Sequence, residues 1–239
     1  MMFTNNVLSY RNILQQVKWK FAVYPYTIVG LLILQILMVF TLSEYRSNLL
    51  INIGAFEVRI SPFNLSAFSI VTAVFIFFVS LLVGTKSSMI GNFIIPTTRT
   101  LANVSNSLYL LSLSLITAML CFASLYMTVA LNVLLEDAVT LKYVTNLFSF
   151  GHFIGLTCFL WCVSSVAYLL ISLFNIRIWL GTLVVVLFAI ILRTEFQLLQ
   201  PIIQFFMQGG IWLVSLKCFV TSFVFYFIAF LITYQLEVK

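Results

Sequence analysis

The chain has 239 residues, of which 63% are hydrophobic and only 8% charged, with a formal net charge of +6. Soluble domains carry about 25% charged residues, so this composition excludes a water-soluble fold and points to one polytopic membrane domain over residues 1–239. No charged stretch of low hydrophobicity is long enough for a second domain, and no nucleic-acid partner is expected.

Met1 to Lys20 is polar and amphipathic, which does not fit the short apolar core of a cleaved signal. From Val7 to Lys20, Tyr10, Ile13, Leu14 and Val17, continuing to Phe21, fall on one helical stripe. Arg11, Gln15, Gln16, Lys18 and Lys20 lie mostly off it. That periodicity predicts a helix in the plane of the interface, with Arg11, Lys18, Trp19 and Lys20 at the membrane surface and basic side chains toward anionic headgroups. Tyr24 and Tyr26 then sit in the aromatic belt before the first span.

Apolar runs predict an all-α protein with six spans, at about 21–42, 63–83, 107–131, 147–173, 178–192 and 212–234. The first connector, Ser43 to Pro62, carries Glu44, Arg46, Glu57 and Arg59; the third carries Glu136, Asp137 and Lys142. Phe174 to Arg177 reads as a tight turn. Arg193 to Gly210 is apolar yet holds Pro201 and the Gly209-Gly210 pair. It is read as a broken outer segment of one or two short helices dipping into the membrane, or else as the beginning of a long last span.

Residues 84–106, GTKSSMIGNFIIPTTRTLANVSN, are the longest polar interruption between two apolar runs. Pro96 removes a backbone donor and pushes Ile95 toward extended geometry. Thr97 or Thr98 can cap the next helix, and Arg99 lies in its first turn, where the helix dipole does not favour a cation. Phe93, Ile94, Ile95 and Leu101 leave an apolar face able to dock on a partner; the competing reading is a membrane-surface loop.

With both termini inside, seven of the twelve Lys and Arg residues and only one acid, Glu237, fall on the inner side. This is the orientation the positive-inside rule favours. The chemistry of an enzyme is thin. Within the spans only His152 and Lys217 ionise, both near span ends, with Lys217 placed to snorkel and His152 to pack a helix end. Ser164 and Ser165 lack a nucleophile context and are expected to bond backbone or neighbouring helices. Gly84-Thr85-Lys86-Ser87 lacks the spacing of a phosphate loop. The cysteines, Cys121, Cys158, Cys162 and Cys218, all lie in apolar segments and read as buried small hydrophobes. No cofactor, metal or catalytic residue is expected.

The amphipathic N-terminal helix, six spans, Pro96-Thr97-Thr98-Arg99 after the second span, and the broken segment before the sixth together resemble the permease subunits of ABC-2-type exporters, including small exporters of peptide toxins or bacteriocins. The resemblance implies an ATPase-contacting coupling helix within Lys86 to Ile95, a membrane-surface helix at Val7 to Lys20, and re-entrant outer helices at Phe196 to Gly209. ATPase-coupling residues are then Lys86, Phe93, Ile94, Ile95, Pro96, Thr97, Thr98 and Arg99. The positions after Arg99, often basic in the family, are here Thr100, Leu101, Ala102 and Asn103. The implied partners are a separate cytoplasmic ABC ATPase, a second permease copy or paralogue, the bilayer of a bacterial cell membrane, and an amphipathic or apolar substrate. The alternative is a non-transporting membrane immunity or assembly protein that binds a partner through its spans.

Overall fold

The computed structural model describes residues 10–44, 49–53, 56–60, 65–85, 99–135, 150–194, 204–206 and 208–235. In order, the longer elements are α1 (Tyr10–Val23), α2 (Pro25–Glu44), β1 (Leu49–Ile53), β2 (Phe56–Ile60) and α3 (Leu65–Val83). They continue as α4 (Arg99–Leu135), α5 (Phe150–Ile176), α6 (Ile178–Thr194) and α7 (Ile211–Gln235). Among the described residues, three helical stretches are long and apolar enough to cross a membrane: Leu101–Leu131, Phe150–Ile176 and Ile211–Thr233. A fourth is added if Asn12–Val23 and Pro25–Thr41 are counted together across a 56° bend. These helices mark a membrane protein.

The bundle is all-helical, as its apolar runs predict. The first connector adds a two-stranded antiparallel hairpin with Leu49 opposite Ile60, Ile51 opposite Val58 and Ile53 opposite Phe56. In Phe56–Ile60, apolar Phe56, Val58 and Ile60 alternate with charged Glu57 and Arg59, a pattern that favours a pleated strand.

The first apolar helix also starts later than expected. Tyr24 separates α1 from α2, and Pro25 opens α2 at the first helical position, where its missing N–H costs nothing. Phe21 and Val23 therefore belong to the amphipathic helix. Beyond the loop the opposite correction applies. The helix begins at Arg99, in keeping with Arg99 in a first helical turn, but it runs unbroken into the third span, so residues 99–106 join a single 37-residue helix instead of ending a loop at 106. At 1.5 Å per residue α4 is about 55 Å long, well beyond the roughly 30 Å of a hydrocarbon core. At the far end of the chain, Gly209 adopts φ 120°, a left-handed conformation glycine takes without strain. The last helix starts after it at Ile211, so the long-last-span reading fails.

α5 is the shared helix of the bundle, packing against α3, α4, α6 and α7, while α4 also contacts α1, α2, α3 and α7. Two cores result. One gathers Val39, Phe68, Ile76, Cys121, Phe122, Leu125 and Leu160. The other, toward α1, gathers Val79, Val83, Tyr109, Leu113, Trp161, Tyr168 and Tyr226, with Val17 and Phe21 against it. Hydroxyls inside the helices are mostly spent on carbonyls one turn back, as for Ser80, Ser114 and Thr117. Ser164 and Ser165 do likewise, to Trp161 and Cys162.

One close helix contact lies where α3 ends. A Cβ added at Gly84 would overlap the Ile171 Cγ2 methyl, and the Gly84 carbonyl accepts a hydrogen bond from Asn175 Nδ2 at 2.7 Å. Overpacking a tight site costs about 1–3 kcal/mol. Gly84→Ala is therefore expected to lower the thermal midpoint of the detergent-solubilised protein, and adding Ile171→Ala should raise it again. A double variant less stable than Gly84→Ala alone would contradict this contact.

Candidate functional site

The sequence placed basic side chains of the amphipathic helix against lipid headgroups. Lys18 is exposed and Trp19 half-buried. Lys20 departs from it. The side chain is fully buried, pointing at the first turns of α4 rather than at lipid. Its Nζ donates to Asn106 Oδ1 at 2.5 Å, to the Ala102 carbonyl at 3.3 Å and to the Ser105 hydroxyl. The three N–H bonds of the ammonium thus meet three acceptors, all uncharged. Gln16, one turn earlier on the same helix face, is also buried, and its amide finds no partner among the described residues.

From Lys20 the bonds run on through the bundle. Asn106 Nδ2 donates to Tyr168 Oη at 2.9 Å, and Tyr168 Oη donates to Asn103 Oδ1 at 2.7 Å. Asn103 Nδ2 donates to the Thr233 hydroxyl, which in turn donates to the carbonyls of Ala229 and Phe230. This chain joins α1, α4, α5 and α7 at one end of the molecule. Asn103 and Asn106 can both serve it because they stand three apart, on neighbouring positions of one helix face. Beside it, Phe21 meets Tyr109 edge-on at 4.8 Å between centroids, and Thr27 Oγ1 lies 3.2 Å from Tyr109 Oη. Tyr226 Oη and Ser164 Oγ pair at 2.8 Å deeper in the bundle.

Burial is what decides the electrostatics. In α1, ahead of the first span, loss of hydration pulls the Lys20 pKa from 10.5 down to about 7. Neutral dipoles do not offset it as a carboxylate would.

Other expected site residues fall as follows. Arg99 is the first residue of α4, and Arg11 lies in the first turn of α1. Lys86, Phe93, Ile94, Ile95, Pro96, Thr97 and Thr98 lie outside the described residues, as do Glu136, Asp137 and Lys142. In the broken outer segment residues 204–206 are helical; Phe196 to Ile203 and Met207 lie outside the described residues. Lys217 does not simply snorkel. It donates to the carbonyls of Phe205 and Gln208 at 2.5 and 2.9 Å, 4.4 Å above the Phe205 ring centroid, and so ties the broken segment to α7. His152 is exposed in the first turn of α5 rather than packed. The four cysteines are free thiols, with Cys121 and Cys218 buried and Cys158 and Cys162 half-buried. Among the described residues no group of three or more His, Cys, Asp or Glu side chains could hold a metal ion.

No protein-family model matches the chain, and neither the curated proteins nor the solved structures give a significant match.

Two outcomes test the site. An unfolded lysine titrates near 10.5 and Lys20 in the fold near 7, so between those values the unfolded state binds more protons. The stability contribution of Lys20 therefore rises as pH increases from about 7 to 10.5 and is flat outside that window. Thermal midpoints of the native chain minus those of Lys20→Met should climb across it; a constant difference would refute the titration. Tyr168→Phe leaves Asn106 Nδ2 and Asn103 Oδ1 buried without their partner, and should cost about 1–3 kcal/mol of stability, measured by thermal or denaturant unfolding in detergent.

Proposed function

We propose that this chain is the permease subunit of an ATP-driven exporter of the ABC-2 type, with six spans in a bacterial cell membrane and both termini cytoplasmic. It forms the substrate path as a dimer, with a second copy or a paralogue, and couples to a separate cytoplasmic ATPase. The observation that carries this reading is the convergence at one end of the bundle. There the segment 86–98 connects Gly84-Thr85 to Arg99, and the first turns of α4 hold Lys20, Tyr168 and Thr233 through the hydrogen-bonded chain. A pull on that segment is delivered to a helix start already tied to α1, α5 and α7. Nucleotide-driven closure of two ATPases would act through it as a rigid-body rearrangement of helices. The segment, with Phe93, Ile94, Ile95 and the Pro96-Thr97-Thr98-Arg99 run, supplies the apolar anchors and the arginine such a docking contact needs.

Interface energy concentrates in a few buried apolar or Arg side chains, often worth over about 2 kcal/mol each. Phe93→Ala or Arg99→Glu is thus expected to reduce co-purification of a tagged ATPase and to reduce export, while membrane insertion persists because the apolar helices, not this segment, commit the chain to the bilayer. Phe56→Ala and Arg59→Glu, in the hairpin, serve as controls and should retain the ATPase. Equal retention by both pairs would refute the coupling role. Function with no ATPase bound at all would favour the immunity or assembly reading.

A further inference from the structure

We infer that α1 is a pH-governed strap: it lies on α4 while Lys20 is a neutral amine, and leaves for the membrane surface when Lys20 takes up a proton. α1 packs on α4 and is separated from α2 by Tyr24, with a 56° bend at the break. Pro25 has no N–H to carry the helical ladder across that break, so the two helices can turn against each other at one residue.

The face that α1 lays on α4 mixes apolar and polar side chains. Val17 and Phe21 reach the core, and Phe21 meets Tyr109 edge-on. Gln16 and Lys20 are 2% and 0% exposed. Neither end of the Gln16 amide finds a hydrogen-bond partner among the described residues, so seating α1 strips it of water without return. Lys20 is bonded but has no counter-ion. Its neighbours on α4 are Ala102, Ser105 and Asn106, with the phenol of Tyr168 behind Asn106 and that of Tyr109 three residues further along α4. α1, α4, α5 and α7 contain no Asp or Glu, and the other cations of α1 and α4, which are Arg11, Lys18 and Arg99, only oppose a further positive charge.

The seat suits a neutral amine. Its two N–H groups serve Asn106 Oδ1 and the Ser105 hydroxyl. The bond given up is the longest, at 3.3 Å to the Ala102 carbonyl, which keeps the Ser105 hydroxyl as a donor. The ammonium gains that third bond but no carboxylate, so burial favours the neutral form and the Lys20 pKa falls from 10.5 to about 7. On the membrane surface the ammonium is hydrated among headgroups, Gln16 recovers water, and Val17 and Phe21 enter the acyl boundary. Proton uptake therefore favours the released position. Each pH unit between about 7 and 10.5 changes the ratio of seated to released helix by up to about tenfold. The strap works in this way with or without an ATPase partner.

The test is acetylation of the purified full chain, in nanodiscs of zwitterionic and anionic phospholipid, with sulfosuccinimidyl acetate. Peptide mass spectrometry reads the labelling rate of Lys20 divided by that of Lys18, which is exposed on the same helix and corrects for the ordinary pH dependence of amines. The ratio should fall by at least about tenfold from pH 7 to pH 9. Ser105→Asp sets a carboxylate beside the ammonium and should keep the ratio low at both pH values. Gln16→Leu removes the unpaired amide from the seat and should lower the ratio severalfold at each pH. A lysine that swung out alone, with the helix left in place, would not respond to a change one turn away. Circular dichroism checks the fold of each variant, and the measurement on the native chain stands without them. The inference is overturned if the native ratio is unchanged or rises between pH 7 and pH 9. It is equally overturned if folded Ser105→Asp keeps the native pH dependence, or if folded Gln16→Leu keeps the native ratio.

Discussion

A lysine that is inaccessible to solvent, with a carbonyl, a hydroxyl and a side-chain amide as its partners, has to be held by dipoles alone. Lys20 is in that position. Burying an ammonium is costly, and the cost is contained only if each of its protons is matched and each matching group is itself fixed. Asn106 is fixed by Tyr168, Tyr168 by Asn103, and Asn103 by Thr233, whose hydroxyl ends on the backbone of α7. Much of the architecture at this end of the bundle follows from that requirement. The amphipathic helix cannot shift without breaking the bonds of Lys20 to α4, which are continuous with those from α4 to α5 and α7.

The other end of the bundle is built differently. Gln35 donates to Thr72 Oγ1 at 2.7 Å and to Cys121 Sγ at 3.5 Å, joining α2, α3 and α4, but its oxygen finds no partner among the described residues. Around it the packing is aliphatic and aromatic, with Val39, Phe68, Ile76 and Leu125 buried. Interhelical hydrogen bonds in membranes are individually modest; what sets the first end apart is their continuity. A chain of bonds that passes through five side chains registers four helices against one another, whereas a single buried amide registers three.

The sequence made the apolar helices legible because their signal is local. Each of the six apolar runs has a helical counterpart, and the amphipathic stripe of α1 emerged from spacing alone. Errors arose where a local signal was weak or competed with another. Pro25 shifted the first boundary, and the helix expected to open near Arg99 was not expected to run on unbroken through Asn103, Ser105 and Asn106 into the span, because asparagines and serines favour turns when nothing pairs them. In the fold Asn103, Ser105 and Asn106 are buried and paired, so their polarity serves the interior. Partners 62 to 130 residues apart in sequence leave no periodic trace. One clue was present: asparagines at i and i+3 just before a long apolar run share a helix face, and a buried face with two amides demands donors and acceptors from elsewhere. Lys20 was misplaced for the same reason, since an amphipathic pattern separates polar from apolar faces but does not say which polar residue meets protein and which meets lipid. The hairpin's strands are only five residues each, too short for a strong periodic signal.

The close seating of Gly84 on Ile171, with Asn175 on its carbonyl, fastens the end of α3 to α5. Asn106 fastens the beginning of α4 to the same helix through Tyr168. The connecting segment 86–98 therefore has both feet planted on one beam, like the two ends of a handle bolted to a single plank. Force applied to such a handle does not prise α3 from α4. It tilts or lifts α5, and with it α7, which packs along that same helix.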